Sequence, residues 1–446
     1  MVTRSVRKIP KNTGPAGWNA VLPPARPSPS LAGSIAADWL VIGAGFAGLS
    51  AARRLTQLFP SDSIVVIEAT GVAQGSAGRN SGFMIDLPHN LSVEGYAGDS
   101  PAGDRKQTEM NRAAIAFAAE AAQEYGFSPD VFDICGKINA AATEKGLIKN
   151  REFARHLRAM GEPHEILDAR AMAERCGTPY YKSGVFSPGT AMLQPAAYIR
   201  GLAHGLRNRI DLHENTPAVR FTRHAGDWVV ETPAGKVTAH RVILAVNGHA
   251  ESFGFFERRL MHVFAYASMS RALTANEIAQ LGGAARWGVL PSDPMGTTVR
   301  RISGQGGDRI VVRNHYTYDP SMVVSETRIQ NAGIRHDRIF ADRFPMLPEV
   351  TMEYRWAGRL CLSWNGVPAF GELEPGLFSA CCCNGLGLAR GTFLGIMAAE
   401  LAAGRAPPLL ADILKMDRPS LLPPEPLTWL GVNATLRWGE WRAGAE

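Results

Sequence analysis

No stretch of this sequence is apolar enough to cross a bilayer as a helix. Of its 446 residues 46% are hydrophobic, but no 18 of them stand in succession, so no membrane span is expected. Cysteine is scarce, with six residues at Cys135, Cys176, Cys361 and the run Cys381 to Cys383. No C-x-x-C pair occurs, and adjacent cysteines rarely meet disulfide geometry. The six read as reduced, small apolar residues, and no metal site is expected. Acid is missing from the first 37 residues, which hold Arg4, Arg7, Lys8, Lys11 and Arg26. That composition is faintly like a transit peptide, yet it lacks the apolar core of a secretory signal. Pro10, Pro15, Pro23, Pro24, Pro27 and Pro29 also break any amphipathic helix there. We read residues 1–37 as an extended arm on the surface of a cytoplasmic protein. Basic residues nowhere cluster with aromatics. The net charge of +6 is spread along the chain, which argues against nucleic-acid binding. It still suits attraction of an anionic substrate. Repeats and low-complexity tracts are also missing.

What is present begins at Asp38, with DWLVIGAGFAGLSAARRL. Trp39 to Ile42 is a short apolar run, the pattern of a buried parallel strand. Gly43, Gly45 and Gly48 complete G-x-G-x-x-G, and Leu49 to Leu58 has helical spacing. The first glycine permits a tight turn, the second lets backbone approach a pyrophosphate, and the third lets helix pack on strand. The amides and dipole of that helix then hold phosphate. A second apolar run, Ile64 to Ile67, ends in Glu68, placed to accept hydrogen bonds from a ribose. The unit is a dinucleotide site; alone it does not choose between NAD and FAD. Two further loops decide. Ser76 to Gly82 (SAGRNSG) follows the second strand directly, where a nicotinamide enzyme would continue with helix and strand. Cys383 to Gly395 (CNGLGLARGTFLG) is a second glycine-rich turn running into a helix that ends at Gly404. Two such loops far apart in the chain suit a long cofactor, FAD.

Between them helix-period and strand-period stretches alternate, which favours α/β with an added substrate domain. Thr108 to Tyr125 and Thr143 to Met160 read as helices. Asp168 reads as the N-cap of a helix ended by Gly177, and Pro195 opens another after Gln194. Short strands at Pro217 to Phe221, Trp228 to Thr232 and Lys236 to Thr238 form a meander, and Val242 to Val246 returns to the parallel sheet. Val263 to Met269, Thr297 to Ile302 and Arg309 to Asn314 suit an antiparallel wall for a substrate cavity. The expected division is a FAD-binding domain from residues 38–90, 195–250 and 351–405. A substrate domain comes from 91–194 and 251–350, and 406–446 forms a surface tail.

These residues carry a resemblance. VIGAGFAGLSAA, GRNSG, LQPAAYIRGL at Leu193 to Leu202, VILAVNG at Val242 to Gly248, and GVPAFG followed by CNGLG stand in the order found in the FAD-dependent glycine/D-amino acid oxidase family. The branch containing gamma-glutamylputrescine oxidase is the most similar. The resemblance implies a Rossmann-like, glutathione reductase-type FAD domain with an interleaved antiparallel-sheet substrate domain. Besides Gly43, Gly45, Gly48 and Glu68, it implies cofactor contacts at Phe46, Ala47, Ala69, Ser76, Ser81, Gly82, Val219, Asn247 and Gly248. Arg79 and Asn80 then lie where the family's loop passes pyrophosphate and flavin. Asn384, Gly385, Leu386, Gly387 and Leu388 would present amides to the flavin C2 carbonyl, with Arg390 adding charge. Some relatives link flavin through a cysteine, but Cys361 lacks the right spacing, so the FAD is expected to be non-covalent.

Flavin amine oxidation requires a neutral amine held with its C–H over the flavin, and no acid–base triad is evident. The open question is the substrate anchor. Arg300 and Arg313, on neighbouring strands, are candidates for clamping a carboxylate. Met84, Asp86 and His89 follow the flavin loop, and Asp86 could receive a cationic amine. His249, His315, Tyr316, Trp364 and Asn365 are secondary candidates. The expected activity is oxidation of an amine or amino acid to an imine, followed by hydrolysis, with oxygen or another acceptor taking the electrons. Rival readings are a dehydrogenase feeding a quinone or carrier protein, a non-catalytic FAD-binding redox sensor, and a tRNA-modifying enzyme. The last lacks an appended transferase domain or basic patch. The oligomeric state is left open.

Overall fold

The strand that opens the glycine fingerprint is longer than its apolar run. Gly33–Ile42 spans ten residues, and only Trp39 to Ile42 are buried in succession. The computed structural model describes residues 3–88 and 101–446. Five parallel strands lie in the order Leu377–Cys381, Gly235–Leu244, Gly33–Ile42, Ile64–Ile67 and Asp211–His213. Burial of both faces explains why Trp39 to Ile42, Ile64 to Ile67 and Val242 to Leu244 read as apolar runs. Helices Phe46–Leu58 and Ala389–Ala402 cover one face. They cross so closely that a Cβ on Gly395 would collide with the carbonyl of Ala47.

The meander and the returning strand are one element. Gly235–Leu244 pairs antiparallel with Asp227–Glu231 over its first half. Its end pairs parallel with Leu377–Cys381, and most of its length runs beside Gly33–Ile42. The second sheet has eight strands: Met352–Leu362, Met261–Ser270, Arg309–Tyr318, Thr298–Ile302, Trp287–Pro291, Lys137–Ala141, Ser183–Ser187 and Glu165–Asp168. Its neighbours are antiparallel except Trp287–Pro291 with Lys137–Ala141, which run parallel. A small third sheet joins Phe83–Met84 and Phe132–Asp133 through Ala191–Leu193.

Several boundaries differ from the sequence reading. Met352–Leu362 is an edge strand of the eight-stranded sheet, pairing with Met261–Ser270, so the chain returns to the parallel sheet only after residue 362. Helix Pro101–Glu124, assigned by sequence to the substrate side, packs on helix Ala389–Ala402. The stretch 251–350 also holds helix Glu326–Arg343, started by the Ser325 side chain accepting from Arg328 N. Helices Pro408–Leu414 and Leu427–Ala443 occupy the presumed tail. The arm is not merely superficial: Ala16 and Trp18 are fully buried. Trp18 Nε1 donates to Asn80 O at 2.7 Å, and its own carbonyl accepts from Gln194 Nε2 at 2.7 Å. Capping followed its spacing: Asp168 accepts from Ala171 N, and Gln194 from Ala197 N with Pro195 next. Among the described residues no helix is long and apolar enough to cross a membrane.

Candidate cofactor and active site

A cavity runs between the two large sheets, with an empty volume of about 2100 Å³ counted out to open solvent. Gly43, Gly45, Phe46 and Ala47 line one end of it, with Glu68 and Ala69 beside them. Gly43 has φ 105°, and a Cβ there would lie 2.7 Å from Ala245 O. A Cβ on Gly45 would meet only Ala77, at 3.6 Å, so it would project into the cavity. Gly48 does not line the space. A Cβ there would collide with the Gly43 carbonyl, and its smallness lets the helix seat on the strand. Glu68 accepts from Ala44 N at 2.9 Å and Thr70 N at 3.1 Å. Burial raises its pKa, and those amides partly offset the rise.

The flavin-loop residues behave differently from expectation. Ser76 and Ser81 line the cavity. Arg79 and Asn80 also line it, but their side chains are held by backbone. Arg79 donates to Gln74 O at 2.8 Å, to Thr13 O and Ala357 O at 3.3 Å, and to Gly14 O. Burial lowers its pKa to about 10, so it stays cationic. Asn80 donates to Ala77 O at 2.7 Å and accepts from Gly82 N at 2.9 Å. Both therefore shape the loop. Gly82 faces away, since a Cβ there would strike Arg300 and the Leu193 carbonyl.

Across the chain, Asn247 lines the cavity with φ 48°. Gly248 does not: a Cβ on it would lie 2.9 Å from His262 Nδ1. Val219 is likewise absent from the wall, and its carbonyl accepts from Val6 N at 2.9 Å; Thr216 to Ala218 line the space instead. Gly385 to Leu388 reach the cavity at the start of helix Ala389–Ala402. Asn384 sits behind them, accepting from Ser363 N at 2.7 Å and donating to Val367 O at 2.9 Å, which pins its φ at 49°. Arg390 turns to Gln107 at 2.6 Å.

Of the substrate-anchor candidates among the described residues, Arg313 lines the cavity, bonded to the hydroxyls of Thr298 and of Tyr316, a secondary candidate that lines it too. Arg300 is buried beside the small sheet. Its guanidinium donates to Ser81 O at 2.9 Å and Leu193 O at 2.8 Å, and it lies 5.3 Å from the Trp18 ring centre. Asp86 is also structural. It accepts from Thr190 Oγ1 at 3.0 Å and pairs with Arg112 at 3.1 Å, away from the cavity. His89 lies outside the described residues, and Met84 is core. His315 pairs with Glu440 at 3.0 Å, whereas Trp364 is 65% exposed and Asn365 bonds Arg418 O. His249 does line the cavity, with Nδ1 3.3 Å from Ser252 Oγ. Burial drives its pKa down to about 2, so the imidazole is neutral.

Sequence reasoning missed several lining residues. Phe83, Ile85, Leu290 and Val311 are apolar positions that only the tertiary fold brings together; Ala265 and Ala267 are legible as alternate small residues on a strand. The arm contributes Val6, Lys8, Ile9, Pro10 and Asn12, for which no local signal exists. Arg359 and Cys383 were also missed. Burial raises the Cys383 thiol pKa to about 12, so it is not a thiolate.

Helices Phe46–Leu58 and Ala389–Ala402 both start at the cavity without a side-chain cap. Their first amides suit anionic and polar groups of a ligand. With the open Gly45 cradle and Glu68, the residues present fit a dinucleotide lying between a parallel sheet and a mixed, mainly antiparallel one. This is the architecture of an α/β flavoenzyme. The chain belongs to the DAO family of FAD dependent oxidoreductases, whose family model matches residues 38–401. It is 25% identical over 420 residues to a probable oxidoreductase, OrdL, of Rhizobium meliloti, covering 91% of this chain and 92% of that protein. It is 24% identical over 403 residues to gamma-glutamylputrescine oxidoreductase of Escherichia coli, covering 85% and 87%. Glycine oxidase from Geobacillus kaustophilus superposes with a TM-score of 0.70 at 19% identity, covering 85% and 98% of the two chains. The cofactor is FAD.

Proposed function

We propose that this oxidoreductase oxidises the C–N bond of an amine or amino acid bearing a carboxylate, which Arg313 anchors. The observation that carries this reading is the position of Arg313, on the wall of the cavity that also holds the glycine turn and the Gly385 to Leu388 loop. A guanidinium offers a carboxylate a planar, charge-assisted fork. Among the described residues Glu68 is the sole carboxylate lining the cavity, and it sits at the glycine turn. Among the described residues no acid on the Arg313 side therefore favours a second ammonium group. FAD, when bound, supplies the acceptor for a hydride from the substrate carbon. Ala265 and Ala267 leave space beside Arg313, and Val311, Leu290 and Phe83 keep water from the reacting carbon. His249 is neutral and takes no part as an acid. The amine reacts in its neutral form, and water hydrolyses the resulting imine. The names of gamma-glutamylputrescine oxidoreductase and glycine oxidase support an amine or amino acid donor.

Anaerobic mixing with a panel of amino acids, N-substituted amino acids, amines and polyamines tests the proposal. Carboxylate-bearing amines should bleach the flavin absorbance, and air should restore it with release of peroxide. Bleaching by 2-hydroxy acids alone would transfer the reading to C–O oxidation. Slow recovery in air, with fast turnover on a quinone or dye, would make the enzyme a dehydrogenase.

A further inference from the structure

Four cations line the cavity, Lys8, Arg79, Arg313 and Arg359, and they are not held alike. Arg79 is tied to backbone carbonyls, and Arg313 to hydroxyl groups. Arg359 differs: among the described residues no hydrogen bond or ion pair reaches its guanidinium. It stands on the edge strand Met352–Leu362, opposite Phe264, and is half-buried. Burial lowers its pKa to about 10, leaving it charged at neutral pH. A guanidinium so placed is unfavourable without an anion to face it.

The second cation arrives on the arm, which is strapped across the cavity mouth. Val6 N donates to Val219 O and Arg7 N to Ser252 O, both at 2.9 Å, and Thr13 Oγ1 donates to Val324 O at 2.5 Å. Between these ties Lys8 extends over the wall, with Nζ 3.2 Å from Pro320 O, a neutral acceptor. Lys8 follows Arg7, whose N donates to Ser252 O, and Ser252 Oγ lies 3.3 Å from His249 Nδ1; strand Met352–Leu362, which carries Arg359, packs against the same turn, Asn247–Phe253, so both cations line the cavity on the His249 side. The nearby Glu251 is engaged elsewhere, with His262 Nε2 at 2.9 Å and Arg259 N at 3.3 Å.

We propose that Lys8 and Arg359 form an anion-binding subsite, completed when the N-terminal strap lies across the cavity, and that its ligand is an oxyanion. The idea rests on the cavity being the FAD site. The oxyanion has two sources, the diphosphate of FAD or a carboxylate of the substrate. Apoproteins of the wild type, Arg359→Gln, Arg359→Lys, Lys8→Gln and the double Gln variant are titrated with FAD. The reloaded proteins are then titrated with acetate and succinate while the flavin spectrum is recorded. Arg359→Gln should weaken one class of ligand at least tenfold, Lys8→Gln two- to fivefold, and Arg359→Lys should retain part of the affinity. Weaker FAD binding with unchanged carboxylate binding assigns the site to the cofactor; the reverse assigns it to the substrate. FAD affinity within twofold of wild type in the double variant, with an unchanged or absent carboxylate response, overturns the proposal. If Arg359→Gln does not fold, Lys8→Gln decides, since Lys8 is exposed: unchanged affinities at low salt overturn the subsite. A wild-type protein that takes up no FAD would instead overturn the cofactor assignment itself.

Discussion

Arg300 and Arg313 sit on adjacent strands with their side chains on the same face, because Arg300 pairs with Val311 and Thr298 with Arg313. One is a structural tie and the other a cavity residue, so conservative substitutions should separate them. Arg313→Lys keeps charge but loses the fork, and should lower kcat/KM for a carboxylate substrate by about ten- to hundredfold, or ~1.5–3 kcal/mol. Bound FAD and thermal stability should stay normal. Arg300→Met instead leaves the carbonyls of Ser81 and Leu193 without their donor, at a cost of about 1–3 kcal/mol each. It should lower the denaturation midpoint and loosen flavin retention. Equal effects of the two substitutions on stability would contradict this division. Gly45→Val fills the cradle directly, because a Cβ there projects into the cavity. The variant should fold and be isolated colourless; a normally yellow, active protein would mean the cofactor takes another path. These roles were legible in part. Glycine and Glu68 spacing is written in the local chain, but Arg300, Asp86 and Arg313 look alike until long-range packing ties Arg300 and Asp86 into the structure and sets Arg313 on the cavity wall.

At the scale of elements, the short helix Gly17–Ala20 acts as a wedge under the flavin loop. Trp18 contacts three separate parts of the chain: Asn80 O at 2.7 Å, the Trp356 ring at 6.2 Å between centroids, and Arg300. Trp18→Ala should cost about 3–5 kcal/mol by opening a cavity. Hydrogen exchange should then rise in residues 76–84 more than in the eight-stranded sheet; uniform exchange would deny the wedge. No sequence pattern announces this helix, since four residues show no periodicity and prolines surround it. Glu326–Arg343 was also missed, although Ser325 and the acid after it form a start signal that the strand patterns around it obscured. Long regular elements with their own caps, such as Glu144–Met160, were readable. Elements defined by what they pack against were not.

For the whole molecule, buried imidazoles link folding to acidity. His249 and His336 are held neutral by burial, with folded pKa values lowered to about 2 and about 3. In the unfolded chain both titrate near the ordinary value of about 6.5. Below that pH the unfolded state binds more protons, so stability falls as pH drops and is level above about pH 7.5. Each group contributes a slope of up to about 1.4 kcal/mol per pH unit. Denaturant unfolding from pH 7.5 to 4.5 should show this decline, and His336→Gln should flatten it by about one proton. An unchanged slope in that variant would mean His336 is not buried neutral. The α/β flavoenzyme fold was legible because the family's motifs recur in order, whereas the register of Met352–Leu362 and the strap depends on contacts no local stretch encodes.

The cavity also sets an order of events during synthesis. Among the described residues its lining comes from three stretches, 6–85, 216–316 and 356–391. On a ribosome the glycine turn emerges early, but the loop at Gly385 to Leu388 that closes the far end is among the last parts made. A nascent chain can therefore fold its first strands and helix without yet owning a place for FAD. Loading belongs to the finished polypeptide, and flavin supply governs how many completed chains mature rather than how many are begun.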